Sequence, residues 1–143
     1  MKKFSELFEV ETAVPINGFC ILKPEFMNFN DAWITLLKNN GWNIVQQVKK
    51  TLTLDQAKAL YKPHSKEPFY NDLCDYMCSG DCVCCSCYKD CKDPIKDMDK
   101  IKQNVRKVWG KDDMKNAMHS SDSLDNVKRE SNICFLQAGD SYL

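Results

Sequence analysis

The chain has 143 residues, a usual length for one domain with a substantial hydrophobic core. Its 20 basic residues balance its 20 acidic residues, so net charge favours neither nucleic acid nor an anionic membrane, and polyanions should bind only at a local site. No apolar run approaches the ~20 residues that span a bilayer, and glutamates interrupt the start before a signal sequence forms. We therefore expect a soluble cytoplasmic protein that binds no membrane and no specific nucleic acid.

Apolar periodicity, capping residues and turn signals predict the elements of the chain. The first half of the chain is predicted to contain a strand at 19–22, a helix capped by Asn30 or Asp31 and ended by Gly41, and a strand at 42–48. A short helix with a Thr53/Gln56 capping box, a helix at about 69–77 and a strand at 82–88 are predicted next. A helix opening at Pro94, a helix at about 124–130 and a last strand at 132–136 complete the predicted order. This order predicts an α+β fold with helices over an antiparallel sheet.

Nine cysteines are unusual for this length, and seven of them lie between Cys74 and Cys91. An odd count without a secretory signal favours a reducing compartment over a disulfide framework. Clustered thiolates could instead bind zinc. However, a strand would send alternate residues of the Cys-x-Cys-Cys-x-Cys run at 82–87 to opposite faces, so the pattern favours buried packing over metal binding.

Residues 116–123 place His119, one of two histidines, among small hydrogen-bonding residues. A neutral imidazole can attack an electrophile, and nearby hydroxyl, amide and carboxylate groups can fix its tautomer. Glu130 comes within reach if the chain turns into a helix here. A histidine in a polar loop is also an ordinary surface residue, and Ser-Asp-Ser is an ordinary helix start, so composition alone leaves both interpretations open.

Motifs spread along the chain resemble the nucleoside diphosphate kinase family as a set. The pattern Asn-x-x-His-x-Ser-Asp-Ser at 116–123, followed by Glu130, is similar to the family's active-site signature. Phe-Cys-Ile-Leu-Lys-Pro-Glu at 19–25 resembles the first strand and Lys-Pro-Asp motif of that family. Further matches follow in the family's order: Tyr61, the segment 66–70, the segment 76–80, and Arg106 ten residues before Asn116.

The resemblance covers residues 17 to about 136. It implies a ferredoxin-like sandwich, in which helices cover a four-stranded antiparallel sheet. Residues 1–16 would then be an N-terminal extension, with Phe4, Leu7 and Phe8 at helical spacing, and residues 17–143 would form a nucleoside diphosphate kinase-like domain.

The implied activity is transfer of the terminal phosphate of a (deoxy)nucleoside triphosphate to a (deoxy)nucleoside diphosphate. The route would be ping-pong, through a phosphohistidine on His119. Mg²⁺ is the implied cofactor, bound through the nucleotide phosphates and without metal ligands from the protein. The implied partners are nucleoside di- and triphosphates, and further copies of the chain in a homo-oligomer.

Taken position by position, the resemblance also implies roles for individual residues. The implied catalytic residues are His119, Glu130, Ser121, Lys23 and Tyr61, and the implied nucleotide-binding residues are Lys23, Phe69, Arg106 and Asn116. Lys23 and Arg106 would contact phosphate, and Ser121 and Glu130 would orient the histidine. Phe69 would stack on the base, a contact that discriminates poorly among bases.

The segment 89–105 departs from the family pattern. It is about eight residues shorter than in typical members, and shortened loops also occur among virus-encoded members. It also lacks the second arginine and the threonine of typical members. The chain has only Arg106 and Arg129, and the helical position of Arg129 beside Glu130 indicates that it does not reach the site. Candidates for the missing charge are Lys92, Lys96, Lys100 and Lys102. Because the family's loop touches neighbouring subunits, its shortening argues against assuming the usual hexamer.

Two other functions remain open from the sequence. The missing arginine is compatible with a catalytically weak or inactive relative that acts as a nucleotide-binding or interaction module. The cysteine cluster is compatible with a zinc or redox protein on the same scaffold.

Overall fold

The computed structural model describes residues 15–135, and in this range four strands form one sheet. The strands are β1 (Gly18–Leu22), β2 (Asn43–Lys50), β3 (Cys82–Tyr88) and β4 (Met118–Ser120). Their spatial order is β2-β3-β1-β4, and every neighbouring pair is antiparallel. The predicted α+β class and the four-stranded antiparallel sheet are therefore confirmed.

Five helices cover the sheet: α1 (Asn30–Asn39), α2 (Leu54–Leu60), α3 (Tyr70–Met77), α4 (Pro94–Trp109) and α5 (Leu124–Phe135). Alternate residues of β1 divide the core between the two faces of the sheet. Phe19 and Ile21 pack with residues of α2, α3 and α5, whereas Cys20 and Leu22 pack with residues of α1 and α4. Within residues 15–135, no helix is long and apolar enough to cross a membrane.

Local capping explains where two of the helices, α2 and α4, begin. Thr53 and Gln56 form the predicted capping box at the start of α2. Asp93 caps α4, whose first residue is the predicted Pro94. Gly41 follows α1 with a φ of +88°, a conformation that glycine adopts without strain. The predicted Asn or Asp cap of α1 is wrong, because Phe29 occupies the cap position after a short 3₁₀ turn.

The cysteines of β3 alternate between the two faces of the core. Cys82 and Cys84 lie on the α5 face, and Cys85 and Cys87 lie on the α4 face. All nine thiols are free, and burial raises the pKa of Cys20 well above the usual thiol range. In the described part of the chain, no group of three or more histidine, cysteine or carboxylate side chains could hold a metal ion. The geometry therefore supports packing as the role of these thiols.

The predicted last strand is wrong over residues 132–135, because α5 continues to Phe135; Leu136 lies outside the described residues. Val127, Ile133 and Cys134 are buried at helical spacing, which a short apolar run cannot reveal by itself. The fourth strand is instead β4, which contains His119. The shortened segment 89–105 is likewise mostly helical, since α4 includes all of its residues from Pro94 onward. The proposed N-terminal extension lies almost entirely outside the described residues.

Candidate active site

A cavity of about 670 Å³ opens beside β4, at the edge of the sheet where α4 and α5 approach from opposite faces. Seven of the eight residues that the family resemblance singles out line it: Lys23, Tyr61, Phe69, Arg106, Asn116, His119 and Glu130. The eighth, Ser121, contacts Glu130 directly. The structure therefore brings residues that are up to 107 positions apart in the chain into one site.

His119 lies in the middle of β4, where strand alternation directs its side chain toward α5. Its Nε2 is hydrogen-bonded to Glu130 Oε1, and the Ser121 hydroxyl donates to the same oxygen at 3.0 Å. The Glu130 side chain is 5 % exposed and the His119 side chain 15 % exposed. The carboxylate therefore holds the imidazole at the cavity wall from within the protein.

The hydrogen bond to Glu130 also fixes the chemistry of the ring. A neutral imidazole has one N–H, and a carboxylate accepts hydrogen bonds, so Nε2 donates to Glu130 and the lone pair resides on Nδ1. Nδ1 is thus the ring nitrogen that can act as a nucleophile. Any positive charge that the ring gains during reaction is stabilised by the adjacent carboxylate.

Tyr61 packs edge-on against His119, with 5.5 Å between ring centroids. Its hydroxyl is buried and has no hydrogen-bond partner among the described residues. Burial, followed by the charge of Glu130, raises the pKa of Tyr61 well above its usual value, so the hydroxyl keeps its proton. The tyrosine therefore presents a free donor beside the imidazole.

Lys23 and Arg106 supply positive charge to the cavity. Lys23 is 3 % exposed, and its Nζ donates to the carbonyl of Met114 at 3.2 Å. Burial and, to a smaller extent, the charges of Arg106 and Lys102 together lower the pKa of Lys23 to about 7. Arg106 donates from Nε to the carbonyl of Met118 at 2.9 Å, which anchors the guanidinium next to β4. Such cations bind phosphate oxygens well.

Asn116 contributes a second polar atom without a partner. Its Nδ2 donates to the Asp113 carbonyl at 2.8 Å, while Oδ1 is buried and unbonded. Four buried side-chain polar atoms in residues 15–135 lack hydrogen-bond partners, and two of them, Asn116 Oδ1 and Tyr61 OH, lie in this cavity. Buried polar groups are rarely left unpaired, so this pair indicates a polar ligand.

The backbone is strained on both sides of the site. Glu25 and Ala117 have φ values of +76°, and they are the non-glycine residues with positive φ in the described range. Ala117 is fully buried and precedes β4, and Glu25 follows the Lys23-Pro24 pair. Such strain costs about 1–3 kcal/mol per residue and clusters at functional sites.

Arg129 does reach the cavity wall, which corrects the expectation from its helical position. Its guanidinium is occupied, however. Nη1 and Nη2 donate to the carbonyls of Ala59 and Leu60 at the end of α2, and Nε donates to Asn126 Oδ1. Arg129 therefore joins α5 to the turn that carries Tyr61 instead of presenting a free fork to a ligand.

The mouth of the cavity includes residues that motif matching does not select. Phe69 is 43 % exposed there, and the His64 ring lies 5.9 Å from it. Asp113 and Lys102 also line the cavity. The sequence does indicate that Lys102 lies near Arg106. Lys102 precedes Arg106 by four residues on one helix, and residues at this spacing share a helix face.

Comparison with known proteins identifies the family. The family model described as nucleoside diphosphate kinase matches residues 17–139. A nucleoside diphosphate kinase of Rhodopseudomonas palustris is 33 % identical over 125 residues, which covers 78 % of this chain and 87 % of the relative. One of Chlorobaculum tepidum is 31 % identical over 125 residues, with 80 % and 89 % coverage.

Solved structures agree. The Aquifex aeolicus nucleoside diphosphate kinase superposes with a TM-score of 0.72 at 28 % identity, covering 85 % of this chain and 94 % of that one. The Encephalitozoon cuniculi enzyme, at 18 % identity, shares the fold with a TM-score of 0.78 and coverage of 90 % and 96 %. The chain therefore belongs to the nucleoside diphosphate kinase family and is a phosphotransferase enzyme.

Proposed function

We propose that the protein transfers the terminal phosphate of a (deoxy)nucleoside triphosphate to a (deoxy)nucleoside diphosphate by a ping-pong mechanism through His119. The observation that carries this proposal is the hydrogen bond between His119 Nε2 and the buried Glu130, which leaves the Nδ1 lone pair for reaction. Lys23 and Arg106 line the same cavity and can balance the charge of the phosphates.

In the first half-reaction, His119 Nδ1 forms a bond to the γ-phosphorus, and the bond between that phosphorus and the β,γ-bridging oxygen breaks. The nucleoside diphosphate leaves with the electron pair of the broken bond. The Nε2 proton remains in its hydrogen bond to Glu130, which stabilises the charge on the phosphorylated ring. In the second half-reaction, a terminal oxygen of another nucleoside diphosphate forms a bond to the phosphorus. The bond between Nδ1 and the phosphorus breaks, and its electron pair returns to Nδ1 of the free imidazole.

The cavity offers places for the other parts of the nucleotide. The exposed Phe69 at the mouth supports stacking of a base, and the unbonded Asn116 Oδ1 can accept a hydrogen bond from a ribose hydroxyl. The Tyr61 hydroxyl can donate to a phosphate oxygen near His119. A base stacked on Phe69 lies largely at the protein surface, and this position supports the use of nucleotides with different bases.

Mg²⁺ fits this site as a companion of the nucleotide. The polar groups around His119 are mainly cations, hydroxyls and amides, which favour phosphate over a bare metal ion, and residues 15–135 contain no acidic or thiol cluster for one. When bound with the nucleotide, Mg²⁺ would reduce the charge of the phosphates. Lys23 and Arg106 would bind phosphate oxygens from the protein side.

Self-association and a cytoplasmic location belong to the same proposal. Among the described residues, β2 is an outer strand of eight residues that pairs with β3 alone, so its other edge can pair with a second copy of the chain. Light scattering would detect such self-association. Nine free thiols fit a reducing compartment.

A second candidate function is nucleotide binding with weak or no turnover. The observation that favours it is the occupied guanidinium of Arg129, which leaves Arg106 as the one arginine of the cavity able to clamp phosphate. Tight nucleotide binding without any phosphohistidine would support this alternative.

The test is incubation of the full chain with Mg²⁺ and ATP labelled on the γ-phosphate. We expect acid-labile label on the wild type and on His64→Ala, the variant of the other histidine, and none on His119→Ala. The label should pass to an added nucleoside diphosphate, and isomer-specific antibodies should detect phosphate on Nδ1. Failure of the wild type to take up label despite nucleotide binding would reject the kinase mechanism.

A further inference from the structure

Lys102 is a partly buried lysine that the reaction described above does not use. It lies on α4 one turn before Arg106 and lines the same cavity. Its side chain is 15 % exposed, although lysine ammonium groups usually extend into water. Its Nζ pairs with Asp99 on the same helix at 2.9 Å, and the Asp99 side chain is 50 % exposed. Because the Asp99 carboxylate is half-exposed, solvent screens this pair and it contributes little free energy, so the ammonium can exchange partners.

Lys102 belongs to a group of three cations. The charges of both Arg106 and Lys102 act on Lys23, and together with its burial they lower the pKa of that residue. Asp112 acts on Lys23 in the opposite direction but is the weakest of these influences. Cations held this close repel one another, and a bound polyanion removes that repulsion.

The other basic residues that could serve the phosphates are excluded by position. Lys92, Lys96 and Lys100 are exposed and do not line the cavity. Arg129 lines it, but its guanidinium is bound to the carbonyls at the end of α2. Of the lysines in the shortened segment 89–105 that could supply the missing charge, Lys102 is thus the one at the cavity.

We propose that Lys102 binds the β- and γ-phosphate oxygens and takes the place of a second arginine. On nucleotide binding its ammonium moves from Asp99 to the phosphates, while Arg106 remains anchored to Met118. This inference rests on the proposed kinase function and assigns one further phosphate-binding residue to it. A lysine provides a point charge and not a planar fork, so it adds affinity for charge without fixing orientation.

The test compares binding of ADP and AMP to the full chain by calorimetry at one ionic strength. Lys102→Met keeps the length of the side chain and removes its charge, Lys102→Arg keeps a charge, and Lys100→Met is the matched control on the exposed face of α4. We expect Lys102→Met to weaken ADP binding about 10-fold or more, because a charged hydrogen bond is lost. AMP binding should change less than about 2-fold, and Lys102→Arg should bind ADP within about 3-fold of the wild type.

Several outcomes would overturn the inference. If Lys102→Met binds ADP as tightly as Lys100→Met does, Lys102 is not a phosphate ligand. An equal loss for ADP and AMP would mean that the substitution disturbs the whole cavity. Lys102→Gln provides the same comparison if the methionine variant does not fold. Labelling of His119 by ATP separates the two proposals. If the wild type forms phosphohistidine and Lys102→Met binds ADP normally, only the inference about Lys102 is rejected. If the wild type never takes up label, the kinase mechanism is rejected.

Discussion

The backbone N–H of Lys23 donates to the carbonyl of Ala117 at 2.8 Å and joins the end of β1 to the residue that precedes β4. Ala117 holds this position with a left-handed φ of +76° and no exposed surface. Lys23, which we propose to bind phosphate, and the strand that carries His119 are therefore positioned by one strained residue.

Substitution of Ala117 tests this positioning. Ala117→Val places a β-branched side chain at a positive φ in a filled space, so we expect the free energy of unfolding to fall by about 2–4 kcal/mol. Ala117→Gly removes the strain and a buried methyl group together and should change it by less than about 1 kcal/mol. Urea denaturation measures both values. Equal stability of the two variants would contradict the importance of the backbone conformation.

Replacement of Glu130 by Gln separates charge from hydrogen bonding. The amide oxygen can still accept from His119 and Ser121, but it no longer stabilises positive charge on the imidazole. We expect the rate of phosphohistidine formation in a single turnover to fall about 10- to 100-fold, with nucleotide affinity unchanged. Asp125→Asn, on the exposed side of α5, is the matched control. A wild-type rate in Glu130→Gln would show that the carboxylate only orients the ring.

Because the Tyr61 hydroxyl has no hydrogen-bond partner among the described residues, we expect its removal to slow the reaction without lowering stability. Tyr61→Phe should leave stability within about 0.5 kcal/mol of the wild type, because no hydrogen bond within the protein is lost. Phosphoryl transfer should nevertheless slow, because a donor to phosphate is gone. In Tyr70→Phe, which loses a hydrogen bond to the Lys58 carbonyl, we expect the reverse: a small loss of stability with full activity. Denaturation and steady-state kinetics on both variants check this contrast.

We expect the buried charge of Lys23 to lower the stability of the protein while supporting its activity. Burial lowers its pKa from 10.5 to about 7 in the folded protein, so between these pH values the unfolded chain binds more protons and this residue makes stability rise with pH. Its destabilising effect is fully present below pH 7. Lys23→Met should therefore be more stable than the wild type by about 1–3 kcal/mol at pH 7, while losing activity.

The pH dependence provides the control for that variant. The stability advantage of Lys23→Met should shrink as the pH rises from 7 toward 9.5, where the wild-type lysine is neutral in the folded state. Urea denaturation at several pH values measures this difference directly. A constant advantage across that range would mean that packing, and not the buried charge, separates the two proteins.

Sequence patterns identify the family of this protein, and the residues that meet in its cavity, better than they locate its last strand. The motif residues from Lys23 to Glu130 meet in one cavity, as the family resemblance implies. The last strand is misplaced because the apolar run at 133–135 is too short to distinguish strand from helix, whereas β4 has only three residues and its register depends on pairing with β1.

Features that depend on side-chain partners in space are beyond sequence patterns. The occupied guanidinium of Arg129 depends on the carbonyls of Ala59 and Leu60, about 70 positions earlier in the chain. The left-handed backbone of Ala117 has no local signal, since alanine ordinarily avoids it. The spacing of four residues from Arg106 favours Lys102 among the four lysines, but the structure is needed to show that this face of α4 lines the cavity.

Because the thiols of β3 are buried on both faces of the sheet, their modification by an alkylating reagent reports the unfolding of the protein. Seven of the nine cysteines are buried, and Cys78 and Cys91 are the partly exposed ones. A small alkylating reagent should thus modify those two quickly and reach the others only when the sheet opens. The rate of the slow phase of labelling then measures how often the whole core opens, without any engineered label in the protein. Nucleotide binding should slow this phase, and tighter binding should slow it more.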